Sequence, residues 1–230
     1  MTPYKPPFPS AAAQARSQAR AQAMARLLLR LRAKGFRDLT LLRALESAPR
    51  ENFVGAGQVE FAMRDIALPL PCGQTLEKPS DLALTLAALA VEPHMRVLEI
   101  GTGSGYSAAV LGHLARDVVS VECFDLLART AREKLERLGI KNVAALWADG
   151  FEISPALGLF DRIVVHGAVE APPASLLGAL GEGGVLIAAR AQGDKAERLL
   201  HRRLPGDRIV VENLGPCRAQ ELLRGLFAAL

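Results

Sequence analysis

The sequence predicts an α/β domain built on a doubly wound, mostly parallel sheet, and three observations carry that prediction. From Arg96 onward, short β-branched runs alternate with helical segments, the pattern of parallel strands joined by crossover helices. One such run, Val97 to Ile100, opens directly into Gly101-Thr102-Gly103-Ser104-Gly105 and then a helical segment. The chain has 230 residues, half of them apolar, which is ample for one such core with a small extension.

Residues 1–9 are proline-rich and are expected to form a disordered tail. Ser10 to about Lys34 is rich in Ala, Gln, Arg and Leu, a composition that favours helix. Leu27, Leu28 and Leu31 are placed to pack, and Arg16, Arg20, Arg26, Arg30 and Lys34 are expected to form a solvated basic face. Asp38 or Thr40 can cap a second helix through Leu41, Leu42 and Leu45, closed by Pro49. Pro79 to Val91 carries leucines at 82, 86 and 89, with Pro79 suited to a first turn. Strands are expected at Val97–Ile100, Asp117–Glu122, the run before Trp147, Phe160–His166 and Val185–Ala189. A helix over Pro172–Leu180 and a turn at Gly181-Glu182-Gly183-Gly184 precede the last of these. Leu199–Leu204 and Arg208–Leu214, joined by Pro205-Gly206-Asp207, read as an antiparallel hairpin. Leu222–Leu230 is expected to close as a short helix.

Composition excludes several classes of function. Residues 1–36 hold seven Lys or Arg and no Asp or Glu, so the net charge of +4 belongs to the N-terminal segment and the rest is close to neutral. No aromatic residue interleaves those cations as a single-strand platform would require, so nucleic acid is not an expected partner. No apolar run approaches the roughly 20 residues of a membrane span and none resembles a secretion signal, which points to a cytoplasmic protein. Three cysteines without C-x-x-C spacing and four scattered histidines argue against a disulfide framework or a metal site. Cys72 reads as a small buried packing residue.

The glycine segment carries the chemistry. Alternate glycines let the backbone bend sharply and let a ligand approach it closely, while the following helix presents its unpaired N–H groups to the same spot. A dinucleotide fingerprint needs G-x-G-x-x-G or A, but Tyr106 stands at the third position. A phosphate-binding loop ends in Gly-Lys-Ser/Thr, and no Lys or Arg occurs between Arg96 and Arg116. A Gly-x-Ser-x-Gly nucleophile elbow around Ser104 needs glycine where Thr102 stands. What remains is an acidic residue, Glu99, followed by G-x-G-x-G, which resembles the first motif of methyltransferases dependent on S-adenosylmethionine (SAM). An acidic loop without cations suits their sulfonium ligand. About twenty residues on, Glu122 ends the next strand, where a carboxylate accepts hydrogen bonds from ribose hydroxyls in nucleotide-binding α/β folds. Asp149, followed by Gly150 after the third strand, is a third anchor, placed where such enzymes usually touch the adenine amino group. Glu99, Gly101, Thr102, Gly103, Ser104, Gly105, Glu122, Asp149 and Gly150 are thus the expected cofactor residues.

Taken with those segments, Pro49-Arg50-Glu51-x-Phe53-Val54, Leu68-Pro69 followed by Gly73-Gln74-Thr75, Phe160-Asp161 and Gly183-Gly184 resemble the protein-L-isoaspartate O-methyltransferases. The resemblance spans roughly residues 25 to 220. It implies a Rossmann-like class I methyltransferase fold with seven strands, the last in a family-specific order, and an added N-terminal helical region. It divides the chain into the tail, a helical and substrate-loop segment over 10–92, and a SAM-binding core over 93–230, within one structural domain. It also implies SAM as cofactor, and methylation of the free α-carboxylate of L-isoaspartyl residues in damaged proteins or peptides.

Thr75, Glu77 and His166 are the expected acceptor-side residues, and two of them depart from the family pattern. Relatives usually read Gly-Gln-Thr-Ile-Ser-Gln-Pro, their serine hydrogen-bonding the substrate carboxylate, whereas this chain reads Gly73-Gln74-Thr75-Leu76-Glu77-Lys78-Pro79. An ionised Glu77 about 4 Å from an acceptor carboxylate would repel it by about 4 kcal/mol at an effective dielectric near 20. Protonation, pairing with Lys78, or a turn toward a helix N-terminus would each relieve that repulsion. Otherwise Glu77 serves a changed acceptor, such as a small molecule, another modified peptide or RNA, or the chain binds SAM without turnover. His166 stands where relatives carry a small polar residue, either contacting substrate or simply hydrogen-bonded at a strand tip. Thr75 either contacts the acceptor or caps a backbone amide.

Overall fold

The computed structural model describes residues 11–192 and 195–228, so the expected tail lies outside the described residues. Seven strands form one sheet in the order β5-β4-β3-β6-β7-β8-β9. They are β3 (Arg96–Ile100), β4 (Asp117–Glu122), β5 (Val143–Trp147), β6 (Phe160–Val169), β7 (Leu180–Gln192), β8 (Lys195–Arg203) and β9 (Ile209–Cys217). The five strands from β5 to β7 pair in parallel, and β8 and β9 follow antiparallel in chain order. This is the doubly wound, mostly parallel sheet that the sequence predicts. The strand order reverses at β3, which lies between β4 and β6, and ligands of open α/β sheets bind beyond the carboxyl ends of strands at such a point.

Side-chain alternation along β3 feeds two apolar layers. Val97 joins the layer that contains Leu27, Leu45, Leu86 and Tyr106, while Leu98 and Ile100 join the opposite one with Phe160, Leu176 and Leu186. The first layer contains α1 (Ala11–Ala33), α2 (Leu39–Ser47), α3 (Pro79–Leu89) and α4 (Tyr106–Gly112). Met24, Leu27 and Leu31 bury the inner stripe of α1, and its arginines at 20, 26, 30 and 32 are exposed. The basic face is therefore the solvated side of a packing helix. Among the described residues no helix is long and apolar enough to cross a membrane.

Local chemistry sets the helix ends. Asp38 is the cap of α2, accepting from the N–H groups of Thr40 and Leu41 at 2.8 and 3.2 Å. Pro79 begins α3, which stops at Leu89 rather than Val91 because Ala90 turns left-handed with φ 49°. Buried Leu127, Ala128, Ala131 and Leu135 line one face of α5 (Asp125–Arg137).

Four sequence expectations need correction. The helix expected over Pro172–Leu180 is the shorter α6 (Ala174–Ala179), and the glycines at 181, 183 and 184 lie inside β7 because Leu180 already pairs with Phe160. Residues 222–228 are not helical: the N–H of Leu222 donates to Ala168 O (2.9 Å), the N–H of Phe227 donates to Cys123 O (2.8 Å), and Gly225 takes φ +92°. Those backbone groups are committed to the carboxyl ends of β6 and β4 and cannot close a helical turn. Cys72 is exposed rather than buried, at the tip of a turn between β1 (Leu68–Pro69) and β2 (Thr75–Leu76), where it takes φ +59°. Those two short strands pair antiparallel within the segment expected to be a loop.

Candidate active site

At the carboxyl end of β3, the backbone turns through three glycines with positive φ: Gly101 (91°), Gly103 (53°) and Gly105 (86°). The positions of Gly101 and Gly105 are also tight, since a Cβ there would come within 3.3 Å of the His166 Cβ and 3.0 Å of the Ala131 Cβ. A side chain at either position would strain the turn and crowd its neighbour. Gly150 is tighter still, as a Cβ there would sit 2.3 Å from Ile100 Cγ2. The loop N–H groups of Gly101 and Gly103 are anchored on β4, at Val121 O (2.8 Å) and Glu122 Oε2 (2.7 Å).

Glu122 sits at the tip of β4. Its other oxygen accepts the N–H of Phe124 at 3.1 Å, and burial, opposed by these amide donors, raises its carboxyl above the usual range. A carboxylate has about four lone-pair positions, so acceptor capacity remains.

A cavity of about 660 Å³ lies against this turn. Gly101, Gly103, Ile100, Glu122 and Gly150 line one end, and Thr75, Glu77, Lys78 and His166 line the other. Residues 218–223 form a third wall. The remaining expected residues lie behind the wall. Thr102 and Ser104 are buried, Thr102 Oγ1 sharing a hydrogen with Ser120 Oγ at 2.6 Å and Ser104 Oγ accepting from Tyr106 N at 3.3 Å. Both Asp149 oxygens accept backbone amides, Phe151 N at 2.9 Å and Gly225 N at 2.8 Å. Glu99 is fully buried beneath the turn and accepts from Ser120 Oγ.

The polar cluster around His166 joins three distant segments. Glu77 lies between β2 and α3, and its Oε1 is 3.0 Å from His166 Nδ1. The opposite ring nitrogen, Nε2, lies 3.1 Å from Glu99 Oε1 and 2.9 Å from Ser107 Oγ of α4. Burial alone would lower the His166 pKa, but hydrogen bonds and charge from Glu77 and Glu99 outweigh it and raise it to about 10. The imidazolium in turn holds Glu77 below the usual carboxylate value, against a desolvation that would raise it. Glu77 is thus ionised, and Lys78 pairs with Asp81 at 3.3 Å instead. Neither protonation nor pairing with Lys78 relieves the repulsion; His166 supplies a counter-charge.

Four features went unread in the sequence. The wall at 218–223 was masked by the expected helix. Ser107 belongs to α4, and Ser120 stands as a polar residue between valines of β4, the only local signal of its role. Arg50 is fully buried and donates to the carbonyls of Ala62, Ile66 (3.3 Å) and Glu77 (2.8 Å), so it fixes the backbone that carries Glu77. Its signal lay in the Pro-Arg-Glu-x-Phe segment. Among the described residues no group of three His, Cys, Asp or Glu could hold a metal ion.

Comparison with known proteins identifies the family. The profile of the protein-L-isoaspartate(D-aspartate) O-methyltransferase family matches residues 22–218. Protein-L-isoaspartate O-methyltransferase 2 of Rhodopseudomonas palustris (strain HaA2) is 43% identical over 200 residues, covering 87% of this chain and 92% of that one. The Azorhizobium caulinodans protein-L-isoaspartate O-methyltransferase is 41% identical over 200 residues, with 87% and 92% covered. A solved protein-L-isoaspartate O-methyltransferase superposes with a TM-score of 0.81 at 28% identity, covering 89% of this chain and 67% of that chain. A Plasmodium falciparum structure of the same description, in complex with S-adenosyl-L-homocysteine, shares the fold with a TM-score of 0.77 at 22% identity, covering 86% and 96%. By the extent of these matches, the chain belongs to the protein-L-isoaspartate O-methyltransferase family.

Proposed function

We propose that this protein transfers a methyl group from SAM to the free α-carboxylate of L-isoaspartyl residues in proteins or peptides. The observation that carries this reading is one cavity lined by a bare-backbone cradle at Gly101 and Gly103 beside Glu122, and by polar Thr75, Glu77 and His166, the last abutting Gly101. The residues present fit a cationic adenosyl ligand: the cradle has no Lys or Arg, its glycines admit close approach, and Glu122 keeps capacity to accept from sugar hydroxyls.

When bound, SAM supplies an electrophilic methyl, so that a carboxylate O–C bond forms as the S–C bond breaks, leaving a methyl ester and S-adenosylhomocysteine. The acceptor carboxylate is already ionised at neutral pH, and the chain needs to supply no general base. Its work is placement, worth up to about 7–11 kcal/mol when two reactants are held in line, and exclusion of water, because opposite charges merge. Residues 65–67, Gln74, Thr75, Glu77, Lys78 and residues 218–223 line the rest of the cavity. Gly101, Gly103, Glu122 and Gly150 are proposed to hold the cofactor, and Thr75, Glu77 and His166 to face the acceptor. Glu99, Thr102, Ser104, Gly105 and Asp149 are proposed to shape the cradle from behind.

Radiolabelled methyl transfer to an isoaspartyl peptide tests this reading, with the matching aspartyl peptide as control. Label released from the isoaspartyl peptide as base-labile ester supports it. Tight binding of S-adenosylhomocysteine without ester would contradict the acceptor and favour a different methyl acceptor, the reading that the ionised Glu77 motivates.

A further inference from the structure

Glu77 and His166 are 89 residues apart in sequence and touch at 3.0 Å. Each nitrogen of the His166 ring faces a carboxylate oxygen, Glu77 Oε1 on Nδ1 and Glu99 Oε1 on Nε2. An ionised carboxylate only accepts, so a ring bonded to one on each side carries a proton on both nitrogens. Ser107 Oγ shares the Nε2–H. The ring is almost fully enclosed, with 11% of its side chain exposed, whereas Glu77 lines the cavity with 32% of its side chain exposed while its Oε2 is buried without a partner.

We propose that Glu77 and His166 work as one charge-compensated unit that sets acceptor specificity, the imidazolium neutralising a carboxylate placed on the wall that an anionic acceptor must approach. The inference rests on the acceptor reading given under Proposed function. Glu77 brings one negative charge and His166 one positive charge, so the pair adds no net charge, and Glu99 remains the uncompensated carboxylate. An incoming carboxylate therefore meets a polar wall rather than a repulsive one. Neither residue works alone: without the ring, Glu77 faces the acceptor as a bare anion, and without Glu77 the ring's charge is left to Glu99 alone. The other charged groups around the pair are Glu99 on β3, Arg198 on β8, the Lys78–Asp81 pair at the start of α3, and Arg218 after β9. Arg198 adds positive potential at Glu77, and Lys78 is occupied by Asp81. The imidazolium is accordingly the direct hydrogen-bonding counter-ion of Glu77. Both residues are positioning residues, since neither exchanges a proton with the methyl group.

The test is a double-mutant cycle on the full chain with His166→Asn, Glu77→Ser and the double variant. Its readouts are KM and kcat for an isoaspartyl peptide, calorimetric affinity for S-adenosylhomocysteine, and ¹⁵N signals of labelled histidine rings. His166→Asn is expected to raise KM at least about tenfold, since it exposes one charge at short range, while kcat and S-adenosylhomocysteine affinity stay within about twofold. Adding Glu77→Ser to that variant restores KM to within about threefold of wild type. The wild-type His166 ring shows two protonated nitrogens through pH 8. Additive effects of the two substitutions, or a neutral ring at pH 7, overturn the inference even where ester forms. Absence of ester with a doubly protonated ring and normal S-adenosylhomocysteine binding overturns the acceptor reading instead, and with it the specificity role. Circular dichroism of each variant shows whether a KM change reflects misfolding.

Discussion

The two ends of the cavity are built by different means. The cofactor end is mostly backbone: two glycines with positive φ, amide groups tied to β4, and a single carboxylate at a strand tip. The acceptor end is mostly side chains, drawn from the β2–α3 joint, β6, β3 and α4, and three of its polar groups converge on one ring. A backbone cradle tolerates almost any neighbour that keeps the turn. A side-chain cluster sets its charge through contacts between distant residues, as Glu77 and His166 do.

The largest expected effect comes from breaking the acceptor end from below. Glu99 is fully buried and holds both His166 and Ser120. Glu99→Ala removes one of the two carboxylates that hold the imidazolium and strips Ser120 of its acceptor, and loss of one partner in a buried charged network costs about 3–5 kcal/mol. Denaturant unfolding at pH 7 measures it; a loss below about 1 kcal/mol would mean that the ring is held by Glu77 alone.

Breaking the cofactor end should leave the fold largely standing. Gly101→Val places a side chain at φ +91° and over the cradle, with about 1–2 kcal/mol of backbone strain. Affinity for S-adenosylhomocysteine is expected to fall at least about 100-fold, or roughly 2.8 kcal/mol, as read by calorimetry. Unchanged affinity would place the ligand elsewhere and remove the contrast between the two ends.

An effect spread over several pH units sharpens the comparison further. The folded-state pKa of His166 is raised from 6.5 to about 10, so its contribution to stability is complete below 6.5 and is lost as pH rises toward 10. Glu77 is lowered from 4.5, so its contribution is present above 4.5 and is lost as pH falls through its depressed value. The pair is therefore whole between 4.5 and 6.5. Above 6.5, stability falls by at most about 1.4 kcal/mol per pH unit for one proton. Thermal unfolding across pH 6 to 10 is expected to show that slope in wild type and to lose it in His166→Asn.

The same contrast explains what the sequence made legible. The strand–glycine–helix turn, the carboxylate of Glu122 and the alternation from β3 to β7 are local patterns, readable because a turn's dihedral needs and a strand's period are written in adjacent residues. The contact between Glu77 and His166 depends on β6 lying beside β3 and on the β1–β2 turn folding over both, which no spacing encodes. Residues 222–228 misled for a related reason: their helical composition lost to backbone hydrogen bonds offered by Ala168, Cys123 and Asp125, all far away in the chain. Asp149 sits after the third strand as expected, yet its oxygens are taken by Phe151 and Gly225.

The most direct test of the account is a crystal structure with S-adenosylhomocysteine bound. The account predicts the ribose hydroxyls on Glu122, the nucleoside over Gly101 and Gly103, and the sulfur directed across the cavity toward Thr75, Glu77 and His166. A ligand seated outside this cavity, or one whose sulfur points away from the His166 wall, would contradict it.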